Sequence, residues 1–101
     1  MILYNITYMV AHEIHEEWIS WMTTIHIPEM MLTGLFERNQ VLRLLEVDEQ
    51  EGITYAAQFY TSSIENYRSY ISNNAPVLRL KANQKWGDKA LGYRTLMEIV
   101  Q

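Results

Sequence analysis

Apolar and polar positions alternate at the start of the chain. Ile2, Tyr4, Ile6, Tyr8 and Val10 share one parity, and their β-branched and aromatic character predicts a strand over Ile2–Val10. The period then changes. Between His12 and Ile25, the apolar residues Ile14, Trp18, Trp21, Met22 and Ile25 recur at the spacing of a helix face lying on a sheet. Pro28 interrupts that stripe. Proline disfavours helix at the residue before it but suits a first turn, so Pro28–Thr33 is expected to restart as a short helix closed by Gly34.

Leu35–Glu49 has the apolar content of a strand, Asp48–Gly52 reads as a turn, and Ile53–Thr61 as the strand returning from it. Ser62 and Glu65 fit a capping box, with Ile64, Tyr67 and Ile71 at helical spacing behind it. Asn73-Asn74 ends that helix, and Pro76 starts another that runs to about Lys85. Trp86-Gly87-Asp88 makes a turn in which Gly87 permits positive φ, and Ala90–Val100 is a last strand with Leu91, Tyr93, Met97 and Ile99 on one parity. The two halves echo each other: Ile6-Thr7-Tyr8 recurs as Ile53-Thr54-Tyr55, and Pro28 as Pro76 after nearly the same interval. The order is βαββαβ, so residues 1–101 are expected to form one ferredoxin-like α+β domain, a four-stranded antiparallel sheet with its helices on one face.

Composition narrows the chemistry. At 101 residues with 49% hydrophobic content the chain can bury one core. It has no cysteine, which removes disulfides, zinc–thiolate sites and thiol catalysis. The amino-terminal segment lacks the charge and cleavage pattern of a signal peptide, and no apolar run approaches the length of a membrane span, so a cytoplasmic location and no membrane partner are expected. The net charge is −4, with all eight Lys and Arg scattered between Arg38 and Arg94, which argues against nucleic acid.

A sheet with helices on one side leaves its other face open. The parities put Leu3, Asn5, Thr7 and Met9 of the first strand there, with Thr54, Ala56, Gln58 and Tyr60 of the third and Gly92, Arg94, Leu96 and Glu98 of the last. This mixed surface has two readings. One is a homodimer interface of facing sheets; the other adds a cavity between them, in which Asn5, Gln58, Arg94 and Glu98 orient a small ligand.

Other constellations are weaker. His12, His15 and Glu16 share a helix face, but the order is not that of a zinc-protease helix, and acidic residues in a first turn already suit the helix dipole, so no metal is expected. His26 and Glu29 flank the break at Pro28, either as an acid–base pair or as a local cap. Trp18, Trp21 and Trp86 are expected to pack on the sheet. Lys85–Lys89 reads as a helix end and turn, with an anion or partner site there as the alternative. The four glycines are isolated, so neither a phosphate loop nor a dinucleotide fingerprint exists, there is no nucleophile elbow, and no cofactor is called for.

Taken together, Ile2–Thr7, Glu17-Trp18, Trp21-Met22, His26–Glu29, Gly52–Tyr55, Ala75-Pro76, Leu78-Arg79 and Gly87–Lys89 resemble a family of short bacterial proteins known only as a domain of unknown function. The resemblance runs nearly end to end. It implies a ferredoxin-like domain related to the dimeric α+β barrels and implies no activity. The wider superfamily includes cofactor-independent monooxygenases, haem-degrading enzymes and ligand-binding modules. A homodimer of unassigned function is therefore the leading expectation. The alternative is a cofactor-independent oxygenase-like or isomerase-like enzyme using His26 and Glu29 with Arg94 or Gln58.

Overall fold

The period-two run at the amino terminus becomes the centre of the sheet. In a computed structural model describing residues 1–101, β1 (Ile2–Val10) lies between β3 (Ile53–Thr61) and β4 (Ala90–Glu98), with β2 (Arg38–Arg43) outside β3. The order β2-β3-β1-β4 with every pair antiparallel is the ferredoxin-like arrangement. Strands β1 and β3 agree with the expected boundaries, whereas β2 is shorter than Leu35–Glu49 because Leu44–Gly52 forms a long connection rather than a tight turn. That connection carries the ion pair Arg43–Glu49 at 3.0 Å and a positive φ at Glu46.

The parity of β1 sends Tyr4, Ile6 and Val10 to the helices, where they meet Ile53, Tyr55, Ala57 and Phe59 of β3. Tyr4 sits among Phe36, Phe59, Tyr67 and Tyr70, with ring centroids 5.2–6.2 Å away. Trp18 fills a second cluster, edge-on to Tyr8 at 5.0 Å and tilted on Tyr55 at 5.2 Å. Burying rings of this size removes the most apolar area per side chain, and truncating one costs about 3–5 kcal/mol.

The helices contain one correction. Pro28 does not break the first helix. Instead α1 (His15–Trp21) runs through a π-helical turn, Met22–His26, into α2 (Ile27–Met31). The Ile27 N–H reaches back five residues to the Met22 carbonyl, and the Thr23 and Thr24 hydroxyls donate to carbonyls of Ile19 and Ser20. Proline has no N–H to place in the ladder, so the wider turn strands no donor at that position. The extra residue rotates the inner face. Ile25, expected inside, is exposed, while His26 and Ile27 are buried. Gly34 closes the segment at φ +76, as its place after the helix requires.

In the second half, α3 (Ile64–Asn73) is capped by Ser63, whose Oγ accepts from Asn66 N at 3.1 Å; the cap is one residue later than the Ser62–Glu65 box suggested. Pro76 then opens α4 (Ala75–Trp86), and Gly87 at φ +57 lets the chain turn into β4. Pro76 restarts a helix as expected but Pro28 does not, and the repeated tripeptide is not equivalent between the halves, since Ile6-Thr7-Tyr8 lies late in β1 and Ile53-Thr54-Tyr55 opens β3. No helix is long and apolar enough to cross a membrane.

The parity of β4 is the second correction. Arg94 pairs with Ile6 and Glu98 with Ile2, so both face the helix side together with Gly92 and Leu96. Leu91, Tyr93, Thr95 and Met97 pair with the outward residues of β1 and occupy the open face. The expectation assumed that the more apolar parity of β4 turns to the core. An edge strand mostly beyond the helices makes no such demand, and almost all of β4 is exposed.

One glycine fixes the approach of the β2–β3 connection to β1. A Cβ on Gly52 would lie 2.4 Å from the Val10 carbonyl oxygen, a backbone atom that cannot yield. Gly52→Ala is expected to cost about 1–3 kcal/mol. Thermal unfolding followed by circular dichroism should show its midpoint lowered by roughly 5 °C or more, on the order of 4–8 °C per kcal/mol in a domain of this size.

Candidate functional site

Where β4 passes beyond the helices, a cavity of about 290 Å³ opens between the sheet, the first helix and α4. β1 supplies Tyr4, Ile6 and Tyr8; β4 supplies Ala90, Gly92 and Arg94. The first helix contributes Trp18, Trp21, Met22 and His26. Tyr70 of α3 adds to the wall, and α4 presents Arg79, Ala82, Asn83 and Trp86, followed by Gly87. Gly92 makes part of the space. A Cβ there would fall 2.8 Å from two ring atoms of Tyr8, so the missing side chain allows the Tyr8 ring to lie over β4.

The polar groups are mostly donors. Arg79 Nη2 makes a long contact, 3.5 Å, to the Tyr4 hydroxyl, and Arg94 adds positive charge toward Tyr4 and Tyr70. Burial holds the Tyr4, Tyr8 and Tyr70 hydroxyls protonated well above the ordinary phenol range, against the pull of the arginines. The Trp86 indole N–H is buried and has no hydrogen-bond partner. No Asp or Glu lines the cavity.

His26 is the one group suited to accept a proton. The π-turn directs it inward, where it is only 7% exposed, and its ring stacks on Trp21 at 4.8 Å and 23°. Burial lowers its pKa and outweighs the opposing charge of Glu29. Trp21 meets Trp86 edge-on at 5.9 Å, so the histidine sits at the end of an aromatic wall.

The residues singled out from sequence are therefore divided among three places. His26 and Arg94 share the cavity. Glu29 does not: its carboxylate accepts from Lys81 Nζ at 3.3 Å on the surface, and it makes no hydrogen bond to His26. Asn5 and Gln58 lie on the open face, where Gln58 Nε2 donates to Asn5 Oδ1 at 3.2 Å. Gln40 Nε2 donates to Gln58 Oε1 at 2.8 Å, and Asn5 Nδ2 to Thr7 Oγ1 at 3.0 Å, so these amides satisfy one another across the sheet. Glu98 is at the far end of β4 on the helix side. His12 bonds to the Glu49 carbonyl and His15 to the Tyr55 hydroxyl, which separates that pair, and nowhere do three or more His, Asp or Glu side chains gather.

Sequence reasoning overlooked Arg79, Asn83, Tyr8 and Tyr70. A signal existed for the first two. Arg79, Ala82, Asn83 and Trp86 stand at i, i+3, i+4 and i+7, so a face containing a buried tryptophan also carries an arginine and an amide.

Comparison with known proteins now places the chain. The profile of the family described as Domain of unknown function (DUF4286) matches residues 1–100. The chain belongs to the DUF4286 family. Searching curated proteins returns no match. Among solved structures, this DUF4286 chain is similar in fold to an EthD-family protein from Bacillus halodurans, with TM-score 0.68 and 15% identity over 99% of this chain and 100% of that one. It is similar to SnoaB, a cofactor-independent oxygenase from Streptomyces nogalater, with TM-score 0.69 and 12% identity over 99% and 94%. An EthD-like protein from Ralstonia eutropha gives TM-score 0.59 and 18% identity over 98% and 93%. At these identities the likeness shows a shared ferredoxin-like fold.

The buried histidine yields a prediction with a definite sign. His26 binds a proton less readily when folded than when unfolded, where its pKa is about 6.5. The unfolded chain therefore takes up the extra proton as pH falls below that value, and stability declines until the folded-state pKa is passed. Unfolding midpoints measured from pH 7.5 to 5 should fall more steeply for the native chain than for His26→Gln. Equal slopes would mean that His26 is not held neutral.

Proposed function

We propose that this DUF4286 chain is a small-molecule-binding module that works as a homodimer. Each protomer carries its own ligand cavity on the helix side, and the uncovered sheet faces pack on each other. The cavity reading is carried by the lining itself, a space of about 290 Å³ bounded by Tyr8, Trp18, Trp21 and Trp86 into which Arg79 and Arg94 bring charge with no carboxylate partner. The ligand site thus moves from between facing sheets, where sequence reasoning placed it, to between sheet and helices.

Pairing is supported by the parity of β4. Leu91 and Tyr93 are 59% and 67% exposed on the open face, beside Met9 and Met97. An apolar patch of this kind marks an interaction surface, and the amides of Asn5, Gln40 and Gln58 near it are already hydrogen-bonded to one another. No nucleic-acid partner enters this reading, since Arg79 and Arg94 line the cavity instead of forming a surface stripe.

A second reading, catalysis, is favoured by one observation: a buried histidine with a lowered pKa faces the same cavity as two guanidinium groups. A cofactor-independent oxygenase, which is what SnoaB is described as, draws its electrons from the substrate itself. In this chain His26 would remove the substrate proton and Arg79 or Arg94 would hold the resulting anion; Glu29 and Gln58 have no part in it.

Two measurements separate these claims. Light scattering at micromolar concentration should give twice the 12.0 kDa of the chain, and Tyr93→Asp, which places a charge on the open face, should return it to 12.0 kDa. A native chain that scatters as a monomer contradicts the pairing. Tryptophan emission should change on titration with naphthalene-sized aromatics, because Trp18, Trp21 and Trp86 line the cavity. Ala82→Leu, which fills the cavity from α4, should weaken that response at least about tenfold, and an unchanged response would place the binding elsewhere.

A further inference from the structure

Resting on the cavity reading, we infer that the ligand is a planar aromatic carboxylate, seated among the aromatic rings of the cavity and gripped at its charged end by Arg79 and Arg94. The three ion pairs of the chain employ Arg43, Lys81 and Lys89, so neither cavity arginine has a carboxylate partner within the protein. Their one protein contact is the long one from Arg79 to the Tyr4 hydroxyl. A chain with net charge −4 has carboxylates to spare, yet none is placed on this wall. The nearest acidic residue along β4 on the same face is Glu98, four positions from Arg94, about 13 Å at the rise of a strand.

Two guanidinium groups at one cavity suit a carboxylate, whose two oxygens accept from several N–H groups. Lys85, with its ammonium 5.0 Å from the Trp86 ring, adds positive potential behind the cavity wall. The aromatic half of the ligand follows from Tyr8, Trp18, Trp21 and Trp86, whose rings line the cavity. A phosphate or an aliphatic acid would use the guanidinium groups and leave the rings without contact. A neutral aromatic would leave the two guanidinium groups without an anion.

Calorimetric titration of the native chain with 2-naphthoate and with its neutral isostere 2-naphthamide, in 50 mM salt, tests this. Naphthoate should bind at least about tenfold more tightly, the ratio expected for one charge-assisted pair. Arg94→Gln and Arg79→Gln should each remove most of that preference, weakening naphthoate far more than naphthamide, while Arg94→Lys should retain part of it. Both arginines are exposed at the cavity rim, so these changes leave the core intact, as circular dichroism would verify. Raising the salt to 0.5 M should weaken naphthoate alone. If acid and amide bind equally well, or if the acid's advantage survives both Gln substitutions, the carboxylate assignment is overturned and the cavity reading stands. If neither probe binds, both readings fall.

Discussion

The register between β1 and β4 governs everything proposed about this chain. Because side chains alternate across a strand, pairing Ile6 with Arg94 decides in one step which residues of β4 join the helices and which face away. A slip of one residue would send Arg94 outward, bring Tyr93 over the cavity and cover the site with the wrong chemistry. The pairing continues at both ends, where Ala11 N donates to the Lys89 carbonyl and Ile99 N to the Met1 carbonyl. It is also keyed in the middle by Gly92, the only residue type that leaves space for the Tyr8 ring.

Two consequences of that register belong together. The helix side of β4 becomes a polar, cationic wall that the helices approach without covering, and the opposite side becomes an apolar strip with no element upon it. The proposed ligand site and the proposed pairing surface thus lie on opposite faces of the same strand. The π-turn completes the arrangement from the other direction. By adding one residue to the first helix just before Pro28, it brings His26 onto the cavity wall in place of Ile25. A rare backbone feature positions the one buried base in the molecule, in keeping with the association of such turns with functional sites.

Much of the fold was legible in the sequence because it rests on local rules. The alternation of β1, the opening of α4 at Pro76, the positive φ of Gly34 and Gly87 and the element order all follow from residue types and their spacing. The site was legible only in part. His26 and Arg94, both candidates from the sequence, line one cavity, but without the partners expected for them. His26 was paired with Glu29 because they are near in sequence, yet Lys81, remote in sequence, holds that carboxylate at the surface. Arg94 was grouped with Asn5 and Gln58 because apolar parity was taken to mean core, a rule that fails on an edge strand with nothing above it. Arg79 was missed although it shares a helix face with Asn83 and Trp86, because the way α4 packs, and not its own pattern, turns that face to the cavity. The similarity to EthD-family proteins and SnoaB agrees with the fold and leaves the chemistry to be argued from these side chains.

The register is the claim on which the account stands, and nuclear magnetic resonance reads it directly. The Tyr8 ring lying against Gly92 should shift one Gly92 Hα proton well upfield of its usual position and give a cross-strand Overhauser contact between the two residues. An unshifted Gly92 resonance, with the Tyr8 ring contacting Leu91 or Tyr93 instead, would put Arg94 on the open face and contradict the account.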